Sequence, residues 1–104
     1  MANAFTSTNR KMTGTMDSTG ASDSVHVPAG CLCSIVADFT TGSFSGTIAL
    51  QAKATAAGSW ITIESYTADA FKVWQDAAPR DLRLNCTTAT SNTAAVELTV
   101  GPQI

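Results

Sequence analysis

The residues that could carry acid–base or nucleophilic chemistry are few in this sequence of 104 residues. Its one histidine, His26, lies between two valines and is followed by Val27 and Pro28. A nucleophilic site needs a base that a third group holds in place, and no motif pairs His26 with a serine or cysteine. Because alternate residues of a strand point to opposite faces, we expect His26 on the exposed side of a strand, in a structural role.

The eight carboxylates are spread along the chain: Asp17, Asp23, Asp38, Glu64, Asp69, Asp76, Asp81 and Glu97. A glycosidase requires two carboxyl groups about 5–10 Å apart beside a sugar-binding cleft, and no motif marks such a pair. Three of them lie in or near predicted loops and are candidates for calcium ligands, namely Asp69, Asp76 and Asp81. They lack the dense spacing of an oxygen-ligand loop, so we interpret them as solvated.

The three cysteines are Cys31, Cys33 and Cys86, and the first two are one residue apart. On a strand, Cys31 and Cys33 point to the same face. Three thiols and one distant histidine do not supply the four closely spaced ligands of a structural zinc site. We interpret them as buried free thiols that pack as small apolar side chains. A disulfide from Cys86 to one of the other two is the alternative.

Other binding signatures are also missing from the sequence. It has no P-loop and no Gly-rich dinucleotide motif. Four aromatic residues could form a platform for a sugar ring: Trp60, Tyr66, Phe71 and Trp74. Only 7% of the chain is aromatic, so we favour packing of these rings in the core. We therefore predict that the chain is not an enzyme. We expect no catalytic, cofactor-binding or metal-binding residues, and no cofactor.

Charge and hydropathy restrict the partners. Only 13% of the residues are charged, against about 25% in a typical domain, which suits a protein that rests against neighbours. The net charge is −2, and the basic residues are scattered apart from Arg10 and Lys11, so we expect no nucleic-acid partner. No apolar run approaches the roughly 18 residues of a membrane span, and no targeting signal is visible. We expect a soluble protein without a membrane partner.

The elements that must position these residues read as strands. Short apolar or alternating runs are separated by turn signals about every 8–12 residues, and we predict strands over 24–27, 31–39, 46–54, 60–66, 71–74, 82–87 and 94–100. The alternation in 60–66 does not decide which face of the strand is buried, because Ile61 and Ile63 alternate with Trp60 and Tyr66. A partner, or the other end of the sandwich, is expected to cover the aromatic face. Gly58 lies in a hairpin loop that suits a positive φ.

The predicted fold is an all-β antiparallel sandwich, jelly-roll or immunoglobulin-like, with seven to eight short strands. Residues 1–23 are rich in Ser, Thr and Gly, and we predict that they form a polar N-terminal arm, with at most a short strand near 11–17. Residues 24–104 are predicted to form the sandwich domain.

Four motifs resemble a family of small β-sandwich virion proteins of tailed bacteriophages. In that family a strand ending in Leu-Gln leads through a Gly-containing hairpin to Trp, followed by Tyr-Thr and later by Arg-Leu-x-Cys-Thr. The resemblance covers residues 46–100 and rests on Gly46-Thr-Ile-Ala-Leu-Gln51, Gly58-Ser-Trp-Ile-Thr-Ile-Glu-Ser-Tyr66-Thr67, Arg83-Leu-Asn-Cys-Thr87 and Thr90-Ser-Asn-Thr93. Two positions depart from the family: Leu82 replaces a common Tyr, and Asn92 replaces a common Gly, where Asn tolerates the left-handed conformation.

The resemblance implies that Trp60 caps the core and that Gln51 pairs near the hairpin. It also implies a capsid decoration (cement) protein, made in the host cytoplasm and mounted on the virion surface. Its partners would be the major capsid protein and further copies of itself, as a trimer. The alternatives are a carbohydrate-binding module of a tail or surface protein, which requires an exposed Trp60, Tyr66 or Trp74, and a head–tail or tail-tube component.

Overall fold

The computed structural model describes residues 3–8, 10–54, 58–75 and 79–103. Within these ranges the chain forms ten strands, in the order β1 (Ala4–Ser7), β2 (Lys11–Met16), β3 (Gly20–Ala21), β4 (Val25–Val27), β5 (Cys31–Asp38), β6 (Ser45–Ala54), β7 (Ile61–Tyr66), β8 (Ala70–Gln75), β9 (Arg80–Ser91) and β10 (Ala94–Gln103). No helix in the described ranges is long and apolar enough to cross a membrane.

The strands form two antiparallel sheets. The first has the order β1-β2-β10-β5-β8, and the second has the order β3-β9-β6-β7, with β4 also paired to β9. The chain passes between the sheets at six connections, as in the double-sheet winding of a jelly roll: β2–β3, β4–β5, β5–β6, β7–β8, β8–β9 and β9–β10. The predicted antiparallel sandwich is confirmed, although the described residues hold ten strands where seven or eight were predicted.

Strict alternation of side chains builds the core between the sheets. In β5 the odd-numbered residues from Cys31 to Ala37 are buried and the even-numbered ones are partly exposed. In β9, Leu82, Leu84 and Cys86 face the same core. All three cysteines are buried, and none forms a disulfide. This confirms the interpretation as packed thiols and excludes the disulfide alternative.

Part of the predicted N-terminal arm lies inside the first sheet. Strand β2 pairs with β10 in a register that places Met12 opposite Leu98 and Met16 opposite Ala94. Both methionines are fully buried in the core. The described part of residues 1–23 therefore contributes β1, β2 and β3 to the sandwich, and the sheets show no boundary after residue 23. The flexible thioether chains fill the core from a segment whose other residues are mostly polar.

Two turns have the left-handed backbone conformation that the sequence favoured. Gly58 has a φ of 98°, which confirms the positive value expected in the hairpin loop before β7. Asn92 has a φ of 66° between β9 and β10, and its side-chain amide donates a hydrogen bond to the carbonyl of Ser43 at 2.9 Å. Asn adopts the left-handed region more readily than most other non-glycine residues, so Asn92 suits this turn.

Candidate interaction surface

The fold separates the histidine, cysteine and carboxylate side chains that could take part in catalysis or metal binding. His26 is exposed on β4, as predicted, and its Nδ1 lies 3.0 Å from Oδ1 of Asp81 on β9. This pair lies on the outer face of the second sheet, because the flanking Val25 and Val27 are buried. Within the described ranges, no three His, Cys, Asp or Glu side chains lie close enough to hold a metal ion.

Asp69 fixes the start of β8 to the end of β5. Its carboxylate accepts hydrogen bonds from the backbone N–H groups of Phe39 and Thr40, at 2.7 and 2.9 Å, and from the Thr40 hydroxyl at 2.6 Å. The hydroxyl bond and then the two backbone bonds hold the pKa of the Asp69 carboxyl below its usual value. Asp81 pairs with His26, and Asp76 lies outside the described residues. Of the three candidate calcium ligands, the two that are described therefore have separate partners.

Trp60 lies on the outer face of the second sheet. The Arg83 guanidinium lies 4.4 Å from the centre of its ring, and the Lys53 ammonium lies 4.9 Å from it. Nε of Arg83 also donates to Oε1 of Gln51 at 2.8 Å, which places Gln51 beside this cluster. The implied role of Trp60 as a core cap is therefore wrong, because attraction between the two cations and the ring holds it on the opposite face.

The other aromatics differ in their exposure. Tyr66 and Trp74 are half-buried and pack against the margin of the core, which partly agrees with the predicted core packing. Phe71 is 73% exposed. Trp60 is half-buried as well, so none of the three rings that carbohydrate binding required is fully exposed.

A polar bridge joins the two sheets along one side of the sandwich. The terminal strand of the second sheet is β7 and that of the first is β8. The Tyr66 hydroxyl and the Lys72 ammonium both donate to Oε1 of Glu64, each at 2.8 Å. The hydrogen bond from Lys72, and then that from Tyr66, lowers the pKa of Glu64. Burial, and then the neighbouring Glu64, raises the pKa of Tyr66 well above its ordinary value.

The large exposed apolar side chains of the described residues all lie on these two strands. Their exposed fractions are 68% for Ile61, 54% for Ile63, 73% for Phe71 and 52% for Val73. We call these two edge strands the β7–β8 side. Phe71 and Val73 lie opposite Val36 and Ser34, on the outer face of the first sheet, whereas Ile61 lies opposite Ala52 on the face turned towards the first sheet. Beside the β7–β8 side is an open depression of about 530 Å³, lined by Ala52, Lys53, Ile61, Ile63, Trp74, Gln75 and Arg80.

A bulge explains why the alternation over 60–66 left this surface undecided. Glu64 lies opposite Leu50 and Thr62 lies opposite Gln51, so Ile63 is the extra residue in the ladder. An extra residue in one strand interrupts the two-residue period of the side chains. In the sequence, two isoleucines alternate with two aromatics, which indicated that both faces of this strand are apolar. The alternation did not indicate the bulge that exposes Ile63.

No family model matches the chain, and no curated protein matches it. Among solved structures, the chain is similar to the Drosophila melanogaster CENP-C cupin domain, with 8% sequence identity and a TM-score of 0.48. The alignment covers 95% of this chain and 75% of that domain. A similarity at this level carries no argument about function.

Proposed function

We propose that this chain is a structural protein of a tailed-phage virion, a capsid decoration protein that binds the outer capsid surface and stabilises it. The observation that best supports a role in assembly is the β7–β8 side, where the exposed large apolar residues of the described chain are concentrated on two edge strands. Apolar surface gathered in this way is typical of an interface with another protein.

The proposed mechanism is passive. Each copy makes a limited set of contacts with the major capsid protein and with other copies, and the symmetry of the capsid multiplies every contact. A low fraction of charged residues, 13%, reduces the desolvation cost of covering such a surface. Buried cysteines without a disulfide agree with folding in a reducing cytoplasm before the protein reaches the virion surface.

The test uses heads of the phage that encodes this chain, assembled after the gene for the chain has been deleted. Purified protein is added, and its co-sedimentation with the heads is measured as a function of concentration. We expect saturable binding and a higher temperature of head disruption, because ligands that bind only the intact state stabilise it. Absence of co-sedimentation, together with unchanged heat resistance of the heads, would contradict the proposed function.

A matched variant serves as a control for the general effect of an added surface charge on binding to the heads. Thr6 is exposed on β1, the opposite edge of the first sheet, so Thr6→Lys adds a charge far from the β7–β8 side. We expect this variant to bind heads as the natural chain does. A glycan array serves the carbohydrate-binding alternative: specific retention of one sugar class without head binding would favour it.

A further inference from the structure

We infer that Arg83 and Lys53, on the outer face of the second sheet, bind a carboxylate group of a partner protein. The site lies where β6 pairs with β9. The inference rests on the proposed function and deepens it, because it names the kind of side chain that the outer capsid surface would present there, an aspartate or a glutamate.

Arg83 and Lys53 are cations without a carboxylate of their own. Within the described residues neither forms an ion pair, whereas Lys11 and Lys72 each lie 2.8 Å from a glutamate oxygen. Both cations lie over the ring of Trp60, at 4.4 and 4.9 Å from its centre, so two positive charges are held near each other. Like charges at close range repel, and an anion bound by both offsets that repulsion.

The guanidinium of Arg83 is oriented before any ligand arrives. Its Nε donates to Oε1 of Gln51 at 2.8 Å, and Nε2 of Gln51 donates to the Thr62 hydroxyl at 3.2 Å. Gln51 is only 9% exposed, so its neighbours hold it in place. Burial also lowers the pKa of Arg83, which indicates that the guanidinium has lost part of its hydration. A charged group with less water around it attracts a counterion more strongly.

The donors that remain on this cluster fit a carboxylate. Because Nε of Arg83 is engaged with Gln51, the end of the guanidinium with the two Nη groups is left, and within the described residues these groups donate no hydrogen bond. Two parallel N–H donors of a guanidinium match the two oxygens of a planar carboxylate. The ammonium of Lys53 adds further donors near the same ring.

Two neighbouring features restrict the partner. Asp81 lies opposite Lys53 in the register, with its carboxylate turned to His26, so one negative charge lies beside the two positive ones. A single carboxylate suits that balance better than a phosphate dianion or a nucleic acid. A sugar acid would stack its ring on Trp60, but both cations already lie over that ring. The site therefore favours an acidic protein side chain.

The experiment measures binding of the full chain to three probes immobilised on a biosensor: a peptide of alternating glutamate and alanine, its glutamine counterpart, and an oligogalacturonate. The test variant is Arg83→Met with Lys53→Met. The matched control is Arg10→Met with Lys11→Met, which removes two exposed charges at the start of β2 and leaves the same net charge. A second test variant, Arg83→Lys, keeps the charge but loses the paired donors. Circular dichroism checks the fold of each variant.

We expect the natural chain and the control to bind the glutamate peptide about tenfold or more tightly than its glutamine counterpart, with an affinity that falls as salt is added. The double methionine variant should lose about tenfold or more of that affinity, and Arg83→Lys a smaller part of it. No preference of the natural chain for the glutamate peptide, or an equal loss in the control, would overturn the site.

Two further outcomes separate the partner and the proposed function from the site itself. Tighter binding of the oligogalacturonate, lost in the double methionine variant, would overturn the protein partner in favour of a sugar acid. A chain that binds the glutamate peptide but does not co-sediment with phage heads would contradict the proposed function while keeping the carboxylate site.

Discussion

Glu64 is the residue that most directly ties the two sheets together on the β7–β8 side. Its carboxylate accepts hydrogen bonds from Tyr66 on its own strand and from Lys72 on the neighbouring terminal strand. Burial and the nearby carboxylate both favour the neutral phenol of Tyr66, so its pKa is raised. Because the folded pKa exceeds the unfolded value of about 10, this contribution to the free energy of unfolding is complete below about pH 10 and is lost as the pH rises towards the folded pKa.

Tyr66 is the single tyrosine of the chain, so its pKa can be measured from the absorbance of the whole protein. We expect the tyrosinate absorbance near 295 nm to appear in the folded protein only well above pH 10. Glu64→Gln removes the negative charge but keeps an acceptor, so it should move the midpoint to lower pH, though not to the free value, since burial is the larger cause. A spectrophotometric titration of both proteins checks this result. Equal midpoints would show that Glu64 does not act on Tyr66.

Strand β2 shows how far the elements could be predicted from the sequence. Strands β6 and β10 alternate apolar and polar residues, β5 is strongly apolar, and the sandwich followed from these patterns. The period of two is also present in β2, but only Met12 and Met16 are large and apolar on its inner face, and the rest of the segment is polar. The sequence pattern therefore did not indicate that β2 lies between β1 and β10, because that depends on pairing with a strand about 80 residues away.

The place of β2 in the sheet is tested by two neighbouring substitutions. Met12 is fully buried, so Met12→Ala should lower the free energy of unfolding by about 2–5 kcal/mol. Thr13 points to the opposite face, and Thr13→Ala should change it by about 0.5 kcal/mol or less. Denaturant unfolding of both variants gives the two values. Similar small effects for both would mean that residues 11–16 form an arm outside the core.

On the scale of the whole molecule, the jelly roll leaves edges that differ in character. On the first sheet, β1 ends one edge with exposed Ala4, Thr6 and Ser7. The other edge is β8, and together with β7 of the second sheet it carries the exposed large apolar residues of the described chain. Small and hydroxyl side chains on β1 keep that edge compatible with water, whereas the β7–β8 side is compatible with a partner. This asymmetry, more than any single residue, is what the proposed assembly role rests on.

Hydrogen–deuterium exchange at low and high protein concentration tests the role of the β7–β8 side most directly, because backbone amides are protected where a second copy covers them. The account predicts that peptides covering residues 61–75 exchange more slowly at high concentration, while the edge strand at residues 4–7 exchanges at the same rate in both samples. Concentration-dependent protection at residues 4–7, with none at 61–75, would contradict it.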